Sequence, residues 1–159
     1  MSDARAANKR EASPLKSVEA DDNAGFLLWK LTVLWQQKLS SVFAAFGVTP
    51  TQFAILASLR YFEERRHVVS QVLLADHARL EPMTLSKAIR KLEEDGMVLR
   101  EPSTSDSRAM VVRLTAQGRR VTQKAVVAVE RADDEFFGVL TARQLASYKT
   151  LMVVLIARK

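Results

Sequence analysis

The sequence changes its hydrophobic period at Gly96, and this change limits the architectures that the chain can adopt. Over residues 83–95, apolar side chains recur at the spacing of one buried helix face. These side chains are Leu85, Ile89 and Leu92. Beyond the glycine, residues 97–100 and 110–114 are short runs typical of β-strands, and the polar, turn-prone segment 101–109 separates them. The sequence therefore predicts an amphipathic helix followed directly by a β-hairpin.

Two further helices are predicted before this segment, and each has a start signal. Thr49 is a good N-cap residue, and Pro50 occupies the first helical position, where proline is preferred. That helix is predicted to reach about Glu64. Ser70 is the predicted cap of a short helix over residues 71–78. The short helix, the amphipathic helix and the hairpin follow one another in the order of a winged helix-turn-helix.

Long helices are predicted on both sides of this lobe. Asp21 or Asp22 can cap a first helix that runs to about Phe46 and carries apolar residues on more than one face. A helix of this kind needs more than one partner to cover it, which in a chain of 159 residues favours a second subunit. Thr115 and Thr141 are the predicted caps of two C-terminal helices.

These elements predict a mainly α fold with a small β-hairpin wing, divided into four parts. The parts are a flexible tail at 1–20, an N-terminal dimerisation helix at 21–46, a winged helix-turn-helix lobe at 47–118 and C-terminal dimerisation helices at 119–159. The tail is small, polar and charged, so we interpret it as solvated chain. A basic arm that contacts DNA is the alternative interpretation of the tail.

Composition excludes several classes of function. The chain contains no cysteine, so disulfides, thiolate nucleophiles and Cys-ligated zinc are excluded. No phosphate-binding glycine loop, nucleophile elbow or acid–base pair is present, and we expect neither an enzyme nor a metal or cofactor. No apolar run approaches the roughly 20 residues that a membrane span needs, and we expect a cytoplasmic protein. A net charge of +6 favours a polyanionic partner.

The amphipathic helix carries its polar and cationic residues opposite its buried face. A helix of this kind fits the major groove of DNA and presents its outer side chains to bases and phosphates. The candidate DNA-binding residues on it are Thr84, Ser86, Lys87, Arg90 and Lys91. An ordinary solvated face is the alternative meaning of these charges.

Two stretches of the sequence resemble the MarR family of bacterial winged-helix regulators. They are Met83-Thr-Leu-Ser-Lys-Ala-Ile-Arg-Lys-Leu-Glu-Glu-Asp-Gly96, and Asp106-Ser-Arg-Ala109 with Val112-Arg-Leu-Thr-Ala-Gln-Gly118. The resemblance implies that the first stretch is the recognition helix and that the second contains the wing. It places Arg108 in the DNA minor groove and gives Asp106 the role of holding the arginine's conformation. Asp106 as a simple turn residue is the alternative.

The resemblance further implies a homodimer that binds a pseudo-palindromic DNA operator, acts as a repressor and is released by a small aromatic or phenolic effector. Trp29, Trp35 and Phe53 are the candidate effector contacts. Their alternative role is in the core or an interface, where large aromatic side chains usually lie. A winged-helix module that binds proteins instead of DNA is the alternative function.

Overall fold

In the computed structural model, which describes residues 23–103 and 110–157, six helices and two strands follow one another. They are α1 (Ala24–Ala45), α2 (Pro50–Glu64), α3 (Gln71–Ala78), α4 (Pro82–Glu94), β1 (Val98–Pro102), β2 (Met110–Leu114), α5 (Ala116–Phe137) and α6 (Ala142–Ile156). The predicted fold class, mainly α with a hairpin wing, is confirmed. The predicted tail at 1–20 and the wing residues Asp106 and Arg108 lie outside the described residues.

Helix starts follow local capping signals. Thr49 Oγ1 accepts a hydrogen bond from Gln52 N at 3.2 Å, and Gln52 Oε1 accepts one from Thr49 N at 2.8 Å, which makes a reciprocal capping box. Side-chain caps at Ser70, Thr115 and Thr141 start α3, α5 and α6 as predicted. The predicted cap of α1 is wrong: the helix begins at Ala24, and Asn23 Oδ1 accepts from Phe26 N at 2.9 Å.

The hydrophobic core lies between α2, α3, α4 and the hairpin. Its largest fully buried side chains are Ile55, Leu56, Leu74, Leu85, Ile89, Leu92, Val98 and Val112. The buried face of α4 is therefore the apolar stripe that the sequence predicts. Because this stripe is covered by core, the opposite side of α4 must face away from it.

The hairpin is antiparallel and attached to the helical lobe at its base. Val98 pairs with Leu114, and Pro102 pairs with Met110 at the other end of the register. Val112 N donates to Val69 O at 3.0 Å, which joins β2 to the segment before α3. The wing base is consequently fixed to the helix-turn-helix by backbone hydrogen bonds as well as by core packing.

The end of α4, the start of β1 and the start of α5 meet at one junction. Gly96 adopts φ +70, and Met97 N donates to Leu92 O at 2.8 Å, so the helix ends in the left-handed conformation that glycine favours. Thr115 Oγ1 donates to Gly96 O at 2.7 Å and accepts from Gly118 N at 2.9 Å. A Cβ at Gly118 would stand 1.9 Å from Met97 O, so only glycine fits there.

The described residues divide within α1 into two units, the first ending at Gln36 and the second beginning at Gln37. In the first unit, the N-terminal part of α1 exposes large apolar side chains: Phe26, Leu27, Leu28, Trp29 and Leu34. In the second unit, α6 has no buried residue and exposes every side chain from Leu151 to Ile156. Among the described residues, no single helix is both long and apolar enough to cross a membrane.

Candidate nucleic-acid interface

The candidate interface is the outer side of α4. Leu85, Ile89 and Leu92 point into the core, Ala88 packs against it, and Lys87 and Arg90 project away from it. The structure brings the five predicted residues of this helix together on its solvent-facing side. Of these, Thr84, Lys87, Arg90 and Lys91 are exposed, and Ser86 is half-buried.

The three cations on this surface differ in their partners. Lys91 Nζ donates to Asp95 Oδ1 at 2.8 Å and lies 3.8 Å from Glu94 Oε2. The hydrogen bond to Asp95 raises the pKa of Lys91. The side chains of Lys87 and Arg90 form no hydrogen bond or ion pair with any other residue in the described part of the chain. They therefore carry the least compensated positive charge of the helix.

An ion pair that sequence reasoning missed joins α4 to the wing. Arg100 Nε donates to Glu93 Oε2 at 2.8 Å, and this hydrogen bond lowers the pKa of Glu93. Both side chains are about one-third exposed or less. The pair crosses from the last turn of the helix to the first strand, so it helps to set the direction of the hairpin relative to α4. A pairing seven residues apart across a turn leaves no periodic signal in the sequence.

The strands carry a second ion pair nearer the wing tip. Arg113 Nε lies 3.3 Å from Glu101 Oε2 on the neighbouring strand, and both side chains are more than half exposed. Such a surface pair contributes little stability. The tip itself, with Asp106 and Arg108, lies outside the described residues, and its predicted role stays a prediction.

One exposed apolar residue of α4 was also missed. Met83 stands in the first turn and is 83% exposed. It precedes Lys87 by one helical turn and Arg90 by two, so the three side chains share the outermost line of the helix. The i, i+4, i+7 spacing of Met83, Lys87 and Arg90 in the sequence could have indicated that Met83 lies on the same face as the two cations.

The predicted effector contacts lie in different units. Trp29, 61% exposed, stacks on Phe26 with ring centroids 5.8 Å apart, and Trp35 is half-buried. Both belong to the first unit. Phe53 belongs to the second unit, where it is half-buried and its ring centroid lies 5.0 Å from that of Phe43.

A cavity of about 280 Å³ lies between the end of α2, β2 and the start of α5. Arg66, Arg113 and Arg119 line it together with His67, Glu63 and aliphatic residues. Arg119 Nε donates to Glu63 Oε1 at 2.6 Å, which lowers the pKa of that carboxyl group. The lining combines an apolar wall with several N–H donors, of which Arg119 is already paired with the lining carboxylate of Glu63.

A helix-turn-helix whose second helix exposes a basic face, with an antiparallel hairpin directly behind it, defines a DNA-binding protein of the winged-helix class. Comparisons with known proteins identify the family. Residues 48–110 match the model of the MarR family. A relative from Bacillus subtilis, described as an uncharacterized HTH-type transcriptional regulator, YdcH, is 32% identical over 120 residues, which cover 76% of this chain and 82% of YdcH. The chain belongs to the MarR family of transcriptional regulators.

Two further comparisons agree with this assignment. The HTH-type transcriptional repressor Rv2887 of Mycobacterium tuberculosis is 31% identical over 134 residues, covering 84% of this chain and 94% of the relative. The solved structure of Bordetella bronchiseptica BpsR, whose DNA binding is regulated by 6-hydroxynicotinic acid, superimposes with a TM-score of 0.81 at 19% identity. That superposition covers 90% of this chain and 99% of BpsR, and it shows a shared fold.

Proposed function

We propose that this regulator is a cytoplasmic homodimer that binds double-stranded DNA sequence-specifically and represses transcription. The observation that carries the proposal is the outer face of α4, where Lys87 and Arg90 are exposed and have no partner among the described residues. A helix of this width fits the major groove of DNA. Unpaired cationic side chains on its outer face can bind phosphates or the hydrogen-bond acceptors on the major-groove edge of guanine.

Each polar residue on α4 has a role in this proposal. Thr84 and Ser86 bond to bases or phosphates near the start of the helix, where recognition helices contact base edges. Lys87 and Arg90 neutralise phosphates or reach guanine. Lys91 contributes less, because binding DNA with its ammonium group requires release from Asp95 and Glu94.

The exposed apolar surfaces of α1 and α6 support a homodimer. Side chains such as Trp29 at 61% and Leu151 at 64% exposed are unusually open for residues of their size. A second copy of the chain would cover them, in agreement with dimerisation segments at 21–46 and 119–159. A two-fold dimer presents two α4 helices about one DNA turn apart, so it binds a pseudo-palindromic operator.

A small aromatic effector is proposed to release the operator. Trp29 and Trp35 in the first unit and Phe53 in the second are each proposed as effector contacts, and the regulation of BpsR by 6-hydroxynicotinic acid supports this type of ligand. The cation-lined cavity near Arg66 and Arg119 is a second candidate site for an anionic ligand. In either site, the effector releases DNA only as far as it binds the DNA-incompetent conformation more tightly.

The first test is binding to duplex DNA as a function of salt. An operator selected from a random pool is expected to bind far more tightly than unrelated duplex, with an affinity that falls steeply as salt rises. Lys87→Ala is expected to reduce the slope of log affinity against log salt by about one for each subunit, because one phosphate contact is lost. Fluorescence anisotropy with labelled duplexes measures both quantities.

The matched control is Lys91→Ala, which removes a cation that Asp95 already binds. Its salt slope is expected to stay closer to that of the unaltered chain. Binding that is absent or independent of salt would refute the proposal and favour the protein-interaction module. Equal losses of slope from the two substitutions would refute the assignment of Lys87 as the uncompensated cation.

The wing gives a second prediction. Arg108→Ala is expected to weaken operator binding by more than ~1 kcal/mol, the scale of one good groove contact. Arg113→Ala is the control, because Arg113 lies on β2 and is paired with Glu101. Equal operator affinities of the Arg108 variant and the unaltered chain, in titrations at one salt concentration, would show that the tip arginine makes no groove contact.

A further inference from the structure

Met83 is an apolar side chain placed where a DNA-reading helix carries its contacts. It is the most exposed large hydrophobic residue of α4, at 83%. It lies in the first turn of that helix, and Glu81, which precedes the helix, makes no side-chain capping hydrogen bond across it. The Met83 side chain is therefore exposed at the N-terminal end of α4, where a helix that enters the major groove contacts the bases.

The position of Met83 relative to the cations fixes its direction. Lys87 follows one turn later and Arg90 two turns later on the same line of the helix, whereas Leu85 and Ile89 point into the core. If Lys87 and Arg90 meet the DNA as proposed above, Met83 necessarily faces the same groove. This inference thus depends on the proposed function of α4.

The chemistry of the major groove offers one apolar partner. The C5-methyl group of thymine projects there, whereas the other bases present hydrogen-bond donors and acceptors. Methionine has no strong donor or acceptor, and its unbranched, flexible thioether chain adapts to an irregular apolar surface. A contact between these two groups reads thymine without any hydrogen bond.

We propose that Met83 is a specificity-determining residue that packs on a thymine methyl group in each operator half-site. The contact adds apolar readout to a helix whose other exposed side chains act through hydrogen bonds and charge. It makes the operator's preference at one base pair depend on a methyl group alone.

The test uses the full chain and an operator selected from a random pool. Each thymine is replaced in turn by deoxyuridine, which removes the methyl group and leaves base pairing unchanged. At one position in each half-site, the unaltered chain is expected to lose affinity by about fourfold, the factor that burial of one methyl-sized group produces. Met83→Ala is expected to bind the two operators equally at that position and to keep the salt slope of the unaltered chain.

The matched control is Val72→Ala, which removes an apolar side chain of similar exposure, 81%, from the neighbouring helix α3. This variant is expected to keep the full response to deoxyuridine. Binding of the operator with no methyl-sensitive position, or with a sensitivity that Met83→Ala retains, would overturn the inference and leave the proposed function intact. Absence of binding to any duplex would overturn the proposed function and this inference together.

Discussion

Replacing Gly118 by alanine is expected to lower the free energy of unfolding by about 3 kcal/mol or more, because the added Cβ collides with backbone. The methyl group would stand 1.9 Å from Met97 O and 2.9 Å from the carbonyl carbon of the same residue. Neither atom belongs to a side chain that can rotate away. The collision is relieved only if α5 moves away from the start of β1. That movement strains the hydrogen bonds that Thr115 forms with Gly96 O and Gly118 N.

Urea denaturation followed by circular dichroism measures this effect, and Gly47→Ala is the matched control. Gly47 has φ +63, but no atom lies within 4 Å of the position of its Cβ. Its substitution is expected to cost about 1–2 kcal/mol, the penalty of a left-handed conformation. If the Gly118→Ala variant is as stable as the Gly47→Ala variant, the backbone at the junction accommodates the added methyl group and the predicted collision is wrong.

The Gly118 junction also bears on DNA binding. Through Thr115, the first turn of α5 is hydrogen-bonded to the chain that leaves α4, at Gly96 and Met97. The junction therefore sets where α4 ends and where the wing begins. A shift of α5 changes the angle between the two elements that are proposed to contact DNA, and we expect operator affinity to fall together with stability in the Gly118 variant.

The double substitution of Leu151 and Leu155 by glutamate is expected to convert the proposed dimer into a monomer. The two side chains lie one turn apart on α6 and are 64% and 58% exposed. Two buried carboxylates facing a partner helix carry a large desolvation penalty. Since a monomer holds only one half-site, operator affinity is expected to fall by at least about 100-fold, the usual scale of lost bivalency.

Light scattering at micromolar concentration gives the mass, and anisotropy with full and half operators gives the affinities. The control places a carboxylate at an exposed polar position of α5, Gln123→Glu, away from the apolar surface of α6. It is expected to remain dimeric and to keep most of its affinity. A monomeric mass for the unaltered chain would refute the dimer, and a dimeric double variant would place the interface away from these residues.

The sequence predicted those parts of the fold that depend on neighbours three or four residues away. The caps at Thr49, Ser70, Thr115 and Thr141 are confirmed, because each side chain bonds to a backbone amide three residues later. The stripe of α4 is confirmed for the same reason, since helical periodicity is local. The cap of α1 was assigned to the wrong residue, because Asp21, Asp22 and Asn23 are all good caps and composition alone does not choose among them.

The tertiary structure decided how α4 is joined to the elements around it. The pairing of Lys91 with Asp95 is a local i, i+4 contact that the sequence could have indicated, whereas Lys87 and Arg90 have no partner within the described residues. The Arg100–Glu93 pair and the fit of Gly118 against Met97 arise from elements brought together across turns. Periodicity determined which face of the recognition helix is buried, because burial repeats with the helical turn. Packing decided how that helix is joined to the wing and to α5, because those contacts connect atoms on elements that are separated by turns.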